Sequence, residues 1–413
     1  MNCNNPTIAV RLAGVNPKTG SAYKPYIFHR FRSDEDFVRT YWDYKSRLPK
    51  VPLKQVDLFS SDRDQLIQPP EVLVLPCGKC DLCIRTYKRN WACRCICESQ
   101  VSHGGIFLTL TCSDDSQLRT FPDNNLIHKP FQDFVKRLRH PSNADDIIWL
   151  SDNHKIRYYM CGEYGTISHR AHYHVVLFGV DFRDKYQVGY SKSGLPLYSA
   201  PVLDRCRYVD GVEVFGKVSN FASLTPADIC YTVGYVDKKL FDPDRRLIAF
   251  SENSVCSNVP QTPVNIGSNP LSCLSVSGVK NVVKFGRENP PYVKMSRRPG
   301  IGYDWLKQYH GDVWKFYNDE VLLSDCVYAS LCGAKYFPPR YFFDKATFDD
   351  GINTPLLSDR QKSIILSDRR GRVSKVCSSP AAMLEDLQRT HDKCVIYRQR
   401  QAARCVRESF ADG

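Results

Sequence analysis

Apolar and polar positions along this chain switch between the strand period and the helix period. Residues 105–111 (GIFLTLT) are apolar and threonine-rich, opened by Gly104-Gly105 and closed by Ser113-Asp114-Asp115. That pattern predicts a buried strand. Over residues 130–139, Phe131, Phe134, Val135 and Leu138 recur at i, i+3, i+4 and i+7, which predicts an amphipathic helix. Lys136, Arg137 and Arg139 lie off its apolar face, and Pro130 suits the first helical position. Residues 157–162 and 170–178 read as two further strands joined by a short turn-like link, an antiparallel hairpin. An irregular insertion is expected from there to about Ser223. Thr225-Pro226 then opens a helix, with Thr as cap, Pro at the first position and Asp228 in the first turn. This helix is expected to run to about Leu240. Residues 1–70 have no clear period. Residues 251–280 are rich in Ser, Asn and Pro and read as a long loop. Residues 380–408 have helical spacing and basic character.

Composition narrows the class. The chain has 413 residues, 42% hydrophobic and 24% charged, which suits a folded protein with a core and appended segments. Its formal net charge of +13 favours a polyanionic partner, since each phosphate contact releases condensed counterions. No stretch approaches the roughly 18 apolar residues of a membrane span. The start lacks a charged-then-apolar signal pattern, so the chain is expected to stay where it is made. Eighteen cysteines in that setting point to reduced thiols or metal ligands rather than disulfides.

Three constellations carry chemistry. His172-Tyr173-His174 lies on a predicted strand, so both imidazoles face one side about 7 Å apart and can share a divalent metal. Glu163, at the end of the preceding strand, would join them across the hairpin. Two histidines and a carboxylate leave open positions for substrate oxygens. Tyr231, Tyr235, Lys238 and Lys239 fall on one face of the predicted tyrosine helix, opposite Ile229, Val233, Val236 and Leu240. Phenols and ammonium groups so grouped suit a phosphate. Cys77, Cys80 and Cys83 have C-x-x-C-x-x-C spacing, a signal for structural Zn²⁺ that needs a fourth ligand. Cys93, Cys95, Cys97 and the distant Cys3 are the candidates for it. The first three sit on a predicted helix over residues 85–100. Basic and aromatic residues also interleave around Arg85, Lys88 and Arg89, and around Arg297 and Arg298, as in segments that grip phosphates and stack bases.

The order of these segments is distinctive. FLTLT (107–111), RAHYHVVLFG (170–179) and YTVGYVDKKL (231–240) resemble the three motifs of HUH endonucleases. More narrowly, the chain resembles the replication initiation proteins of gokushovirus-type microviruses. PCGKCDLCIRTYKRNWACRCICE (76–98), YYMCGEYG (158–165), MSRRPGIG (295–302) and PPRYFFD (338–344) extend that likeness over about residues 70–345. One departure is Ala171, where the family pattern has proline.

The resemblance implies an α+β fold, a central antiparallel sheet with flanking helices similar to RNA-recognition-type folds. It implies His172, His174 and Glu163 as ligands of Mg²⁺ or Mn²⁺. Tyr231 and Tyr235 would be paired nucleophiles, and Lys238 or Lys239 the lysine that follows them. The implied function is rolling-circle initiation: nicking of single-stranded origin DNA, a 5′-phosphotyrosine, a free 3′-OH and later rejoining. Partners would be origin DNA, a host helicase and a host polymerase, in the bacterial host's cytoplasm. The expected organisation is an N-terminal region with the cysteine segment (1–100), the endonuclease core (101–250), a loop-rich basic region (251–345) and a C-terminal extension with a basic helix (346–413). Competing readings are a non-catalytic zinc-containing DNA-binding protein, a zinc hydrolase using water, and an HUH nuclease of a plasmid or transposon.

Overall fold

The computed structural model describes residues 3, 5–11, 26–28, 31–48, 53–56, 64–67, 71–113, 126–165, 170–191, 194–216, 220–234, 289, 291–309, 339–347, 358, 360–361, 363 and 377–411. Tyr235, Lys238 and Lys239, the expected helix beyond Gly234 and the loop expected at 251–280 lie outside the described residues. The chain divides into two compact units, Met1–Tyr87 with Asp359–Gly413, and Lys88–Ser358.

The first unit contains β1 (Thr7–Arg11), β2 (Tyr26–Phe28), α1 (Asp34–Arg47), the β3 (Leu53–Val56) and β4 (Asp64–Ile67) ladder, β5 (Glu71–Leu75), the start of α2 (Asp81–Val101) and the long C-terminal helix Pro380–Ala411. β1 lies between β2 and β5 in an antiparallel sheet. Helix α1 has a clear local cause. The Ser33 side chain accepts from Asp36 N at 3.2 Å, and Asp34, Glu35 and Asp36 complement the positive helix N-terminus. Its buried Phe37, Val38 and Tyr41 pack with Ile8, Met383 and Leu387. The absence of a clear period over residues 1–70 therefore concealed a capped helix. Only three buried side chains mark its inner face, too few to dominate a polar sequence.

The second unit holds the larger sheet. Along the chain come β6 (Gly105–Thr111), α3 (His128–Leu138), β7 (Ile147–Trp149), β8 (Arg157–Tyr164), β9 (Ala171–Phe178), β10 (Val180–Phe182), β11 (Tyr186–Tyr190), β12 (Pro196–Ser199), α4 (Pro201–Cys206), β13 (Tyr208–Val209), β14 (Val212–Glu213), β15 (Asn220–Ser223), α5 (Pro226–Gly234) and β16 (Tyr292–Met295). Seven strands join in the order β11-β12-β15-β6-β9-β8-β16, antiparallel throughout. The segment expected to be irregular up to Ser223 instead supplies one flank of this sheet. Its strands are only four or five residues long, and β11 is largely exposed, so it lacks a one-sided apolar pattern.

Alternation along β6 sets the two faces. Ile106, Leu108 and Leu110 are buried in the main core, while Phe107, Thr109 and Thr111 face the other way. The core face is covered by α3 through Phe131, Phe134, Val135 and Leu138, the stripe its sequence predicts. Tyr173 points into this core and its hydroxyl donates to Ile127 O at 2.8 Å. Each such apolar side chain stabilises the fold by about 1.5–3 kcal/mol on burial. Gly105 opens β6 because a Cβ there would lie 2.0 Å from Leu177 O, so any side chain would separate β6 from β9.

On the opposite face, α2 lies beside β8, with the Trp91 and Tyr159 rings 5.4 Å apart. Glu98 of α2 pairs with Arg157 of β8 and accepts from Gly302 N at 2.7 Å. Arg94 donates to Ile301 O at 2.9 Å. These bonds anchor the tight turn after β16 on the helix.

Candidate active site

The hairpin β8–β9 sets the site by register. Glu163 lies opposite His172, and Cys161 opposite His174. On the other side of β9, Thr109 pairs with His174 and Thr111 with His172. Two residues on a strand share a face when their numbers differ by two, so both imidazoles and the Glu163 carboxylate emerge together. The His172 and His174 rings are 4.9 Å apart, at 88° to each other. Their Nε2 atoms lie 2.6 and 3.1 Å from the same oxygen, Glu163 Oε1. Ligand atoms of all three residues fall within 4.8 Å of one another.

The ring orientations are fixed from behind. His172 Nδ1 faces Arg170 O at 3.1 Å; a carbonyl only accepts, so Nδ1 carries the proton and Nε2 turns toward Glu163. His174 Nδ1 lies 3.4 Å from Thr109 Oγ1. Such partners hold a metal-binding imidazole in one tautomer. Burial pushes the Glu163 carboxyl up, but the hydrogen bonds and charges of His172 and His174 outweigh it and hold its pKa at about 2. The site therefore presents an ionised carboxylate and two imidazole nitrogens aimed at one point. This donor set fits a divalent cation that keeps open positions for substrate.

Helix α5 packs over β9 and β8. Its start is capped reciprocally: Thr225 N donates to Asp228 Oδ2 at 2.9 Å, and Asp228 N donates to Thr225 Oγ1 at 3.3 Å. Ile229, Thr232 and Val233 face inward, as the sequence pattern requires for the first and third. Tyr231 lies on the other side and is 53% exposed. Its ring meets His174 edge-on with centroids 5.4 Å apart, and Phe107 at 6.0 Å. The structure thus brings together Glu163, His172, His174 and Tyr231. Thr109 belongs with them and was not singled out in the sequence. The alternation of FLTLT, which puts Phe107, Thr109 and Thr111 on the histidine face, was the available signal.

The remaining sequence candidates lie elsewhere. Arg85, Lys88 and Arg89 are on α2 and half-buried. Arg85 stacks over Tyr397 at 5.0 Å, and burial pulls the Lys88 ammonium down to about 8. Arg297 and Arg298 are exposed in the turn after β16. Cys77, Cys80 and Cys83 gather with Cys3, and Cys93, Cys95 and Cys97 are buried in α2, outside that group. No helix among the described residues is long and apolar enough to cross a membrane.

Comparison with known proteins agrees with this geometry. The family of replication-associated proteins named for ORF2 matches residues 105–240, the stretch that runs from β6 through α5. "Replication-associated protein VP4" of Bdellovibrio phage phiMH2K is 30% identical over 301 residues, which cover 71% of this chain and 86% of that relative. "Replication-associated protein ORF4" of Chlamydia phage 1 is 30% identical over 192 residues, or 45% of this chain and 44% of the relative. No solved structure matches the chain. With the site on the matched segment and most of a phage relative's length aligned, the chain belongs to the replication-associated proteins of gokushovirus-type microviruses.

Proposed function

We propose that this replication-associated protein is a metal-dependent HUH-type nicking and rejoining enzyme that starts rolling-circle replication of a single-stranded DNA phage. The observation that carries this reading is the half-exposed phenol of Tyr231 beside the Glu163, His172 and His174 group. A water-using hydrolase has no use for a tyrosine there, and a purely DNA-binding protein has no use for either part.

In the proposed reaction, Tyr231 Oη attacks the scissile phosphorus. The Tyr O–P bond forms as the P–O3′ bond breaks. The phenol loses its proton and the leaving 3′-oxygen gains one, so the charge balances. The products are a 5′-phosphotyrosine and a free 3′-OH, and attack by a 3′-OH in the reverse sense rejoins ends without a nucleotide cofactor. Glu163, His172 and His174 would hold Mg²⁺ or Mn²⁺, which polarises the phosphate when bound. Thr109 and the Arg170 carbonyl keep the two rings aimed. The α5 cap fixes the helix from which Tyr231 projects. Tyr235 would serve as the second nucleophile, with Lys238 and Lys239 stabilising phenolate or phosphate charge. Residues 101–250 would form the nucleolytic core. Arg85, Lys88, Arg89, Arg297 and Arg298 are proposed contacts to DNA, and a host helicase and polymerase in the bacterial cytoplasm the proposed partners.

The test is incubation with end-labelled single-stranded origin DNA and Mn²⁺, followed by denaturing electrophoresis and mass spectrometry of DNA-linked peptides. A covalent adduct on the peptide that carries Tyr231 or Tyr235 is expected. Cleavage with no covalent intermediate would assign the site to hydrolysis.

A further inference from the structure

We propose that Cys3, Cys77, Cys80 and Cys83 bind one Zn²⁺ as a closed tetrathiolate centre, which ties the third residue of the chain to the start of α2 and, through Asp81, braces the C-terminal helix. The four side chains lie within 4.8 Å of one another. Cys77 Sγ is 4.0 Å from Cys83 Sγ, and Cys80 Sγ is 3.8 Å from Cys3 Sγ. A tetrahedron with Zn–S bonds of about 2.3 Å has S–S edges of about 3.8 Å. A disulfide would need about 2.05 Å, and all four cysteines are free thiols.

The backbone around the cluster suits thiolates. Lys79 N and Cys80 N both donate to Cys77 Sγ, at 3.4 and 3.3 Å, and Cys77 N donates to Cys3 Sγ at 3.2 Å. Gly78, at φ +74, makes the left-handed turn that points these amides inward. Without a cation the arrangement is unfavourable. Hydrogen bonding with Cys80 and Cys83, then burial, pushes the Cys3 thiol far above its ordinary range. Zinc would displace four thiol protons and leave a centre of net charge −2. The positive N-terminal end of α2, which starts at Asp81, and Arg398 lie where that charge develops.

The same corner receives the C-terminal helix. Asp81 directly follows Cys80 and is buried. Its Oδ2 accepts from Arg398 Nε and, at 3.4 Å, from Cys394 Sγ. Fixing Cys80 in a metal centre therefore fixes the carboxylate that seats this helix. The site is separate from the Glu163 group in residues and in ligand chemistry, four soft sulfurs against two nitrogens and an oxygen.

Metal analysis of the purified full-length chain tests this. About one zinc per chain is expected after dialysis, retained in His172→Ala/His174→Ala and lost in Cys80→Ser. Mercurial titration of the wild-type chain should release that zinc with four thiols consumed per ion, a readout independent of whether a variant folds. Cobalt substitution should give thiolate charge-transfer bands and the intense visible bands of a tetrahedral site. A folded chain that carries no zinc, zinc that persists in both Cys3→Ser and Cys80→Ser, or iron in place of zinc would overturn the assignment. Loss of nicking activity alone reads on the proposed function and leaves the zinc count unchanged.

Discussion

The ring of Tyr231 stands edge-on to the ring of His174, 5.4 Å away and at 77°. A helix residue and a strand residue 57 positions apart are joined because α5 crosses the one sheet face that carries Glu163 and His172. That closeness gives the phenol a defined role at a phosphate held by the histidine group. Tyr231→Phe should cut covalent adduct formation through this residue by at least about 10³-fold, the scale of losing a nucleophile. Its thermal midpoint should stay at the wild-type value, since the side chain is more exposed than buried. Undiminished adduct on the peptide carrying Tyr231 in that variant would remove it from the mechanism.

His172→Ala and Glu163→Gln should each lower metal-dependent nicking by on the order of 10²–10³-fold. Affinity for an oligonucleotide at fixed salt should change little, because phosphate contacts elsewhere supply it. Chelation by EDTA should reproduce the loss and added Mn²⁺ should reverse it. A filter-binding assay run beside the nicking assay separates the two effects.

Thr109→Val keeps shape but removes the oxygen next to His174 Nδ1. Losing such a partner typically costs 10–100-fold in metal affinity or activity. The Mn²⁺ concentration for half-maximal nicking should rise by about that factor, with the rate at saturating metal largely kept. A fall in rate with no change in metal dependence would mean that Thr109 acts in some other way.

Much of this site could be read from residue order, and the reasons for the exceptions are physical. His172 and His174 share a face by the strand period, Glu163 reaches them by hairpin register, and Thr225-Pro226 announces α5 by its cap. Periodicity cannot say which distant partner joins a cluster. Cys3 is 74 residues from Cys77 and was no better placed by spacing than Cys93, Cys95 or Cys97, which turn out to be helix packing. The short strands β11, β12 and β15 were missed because edge strands exposed to water lose the one-sided pattern. Ser33 with Asp34, Glu35 and Asp36 was a legible helix start, obscured by the polar sequence around it.

The α5 cap offers a stability test away from the chemistry. Thr225→Ala removes the oxygen that accepts from Asp228 N and the hydroxyl that donates to Asp228 Oδ2 at 2.6 Å. Loss of an N-cap costs about 1 kcal/mol. Unfolding of the second unit should move to lower denaturant by that amount, and nicking should weaken with it because Tyr231 rides on this helix. Thr225→Ser should restore both.

The buried pair of Glu98 and Arg157 predicts a pH-dependent cost. Both side chains are almost wholly enclosed, and Arg157 also donates to Pro299 O at 3.0 Å. Burial raises the Glu98 carboxyl above its ordinary range, and Arg157 and Gly302 N only partly offset it. A group raised in the folded state contributes stability that is whole below its unfolded pKa of about 4.3 and lost as pH rises through its folded value. Arg157→Met removes the main lowering influence, so the folded pKa climbs further. At pH 7 this variant should lose about 3–5 kcal/mol, the cost of leaving one buried charge alone. The loss should shrink as pH falls toward about 5, where Glu98 takes up a proton instead of standing charged. Adding Glu98→Gln should recover part of the pH 7 loss, because the double variant buries no unpaired charge. Urea titrations of the three chains at both pH values check this, and a loss independent of pH would show that Arg157 contributes by packing rather than by charge.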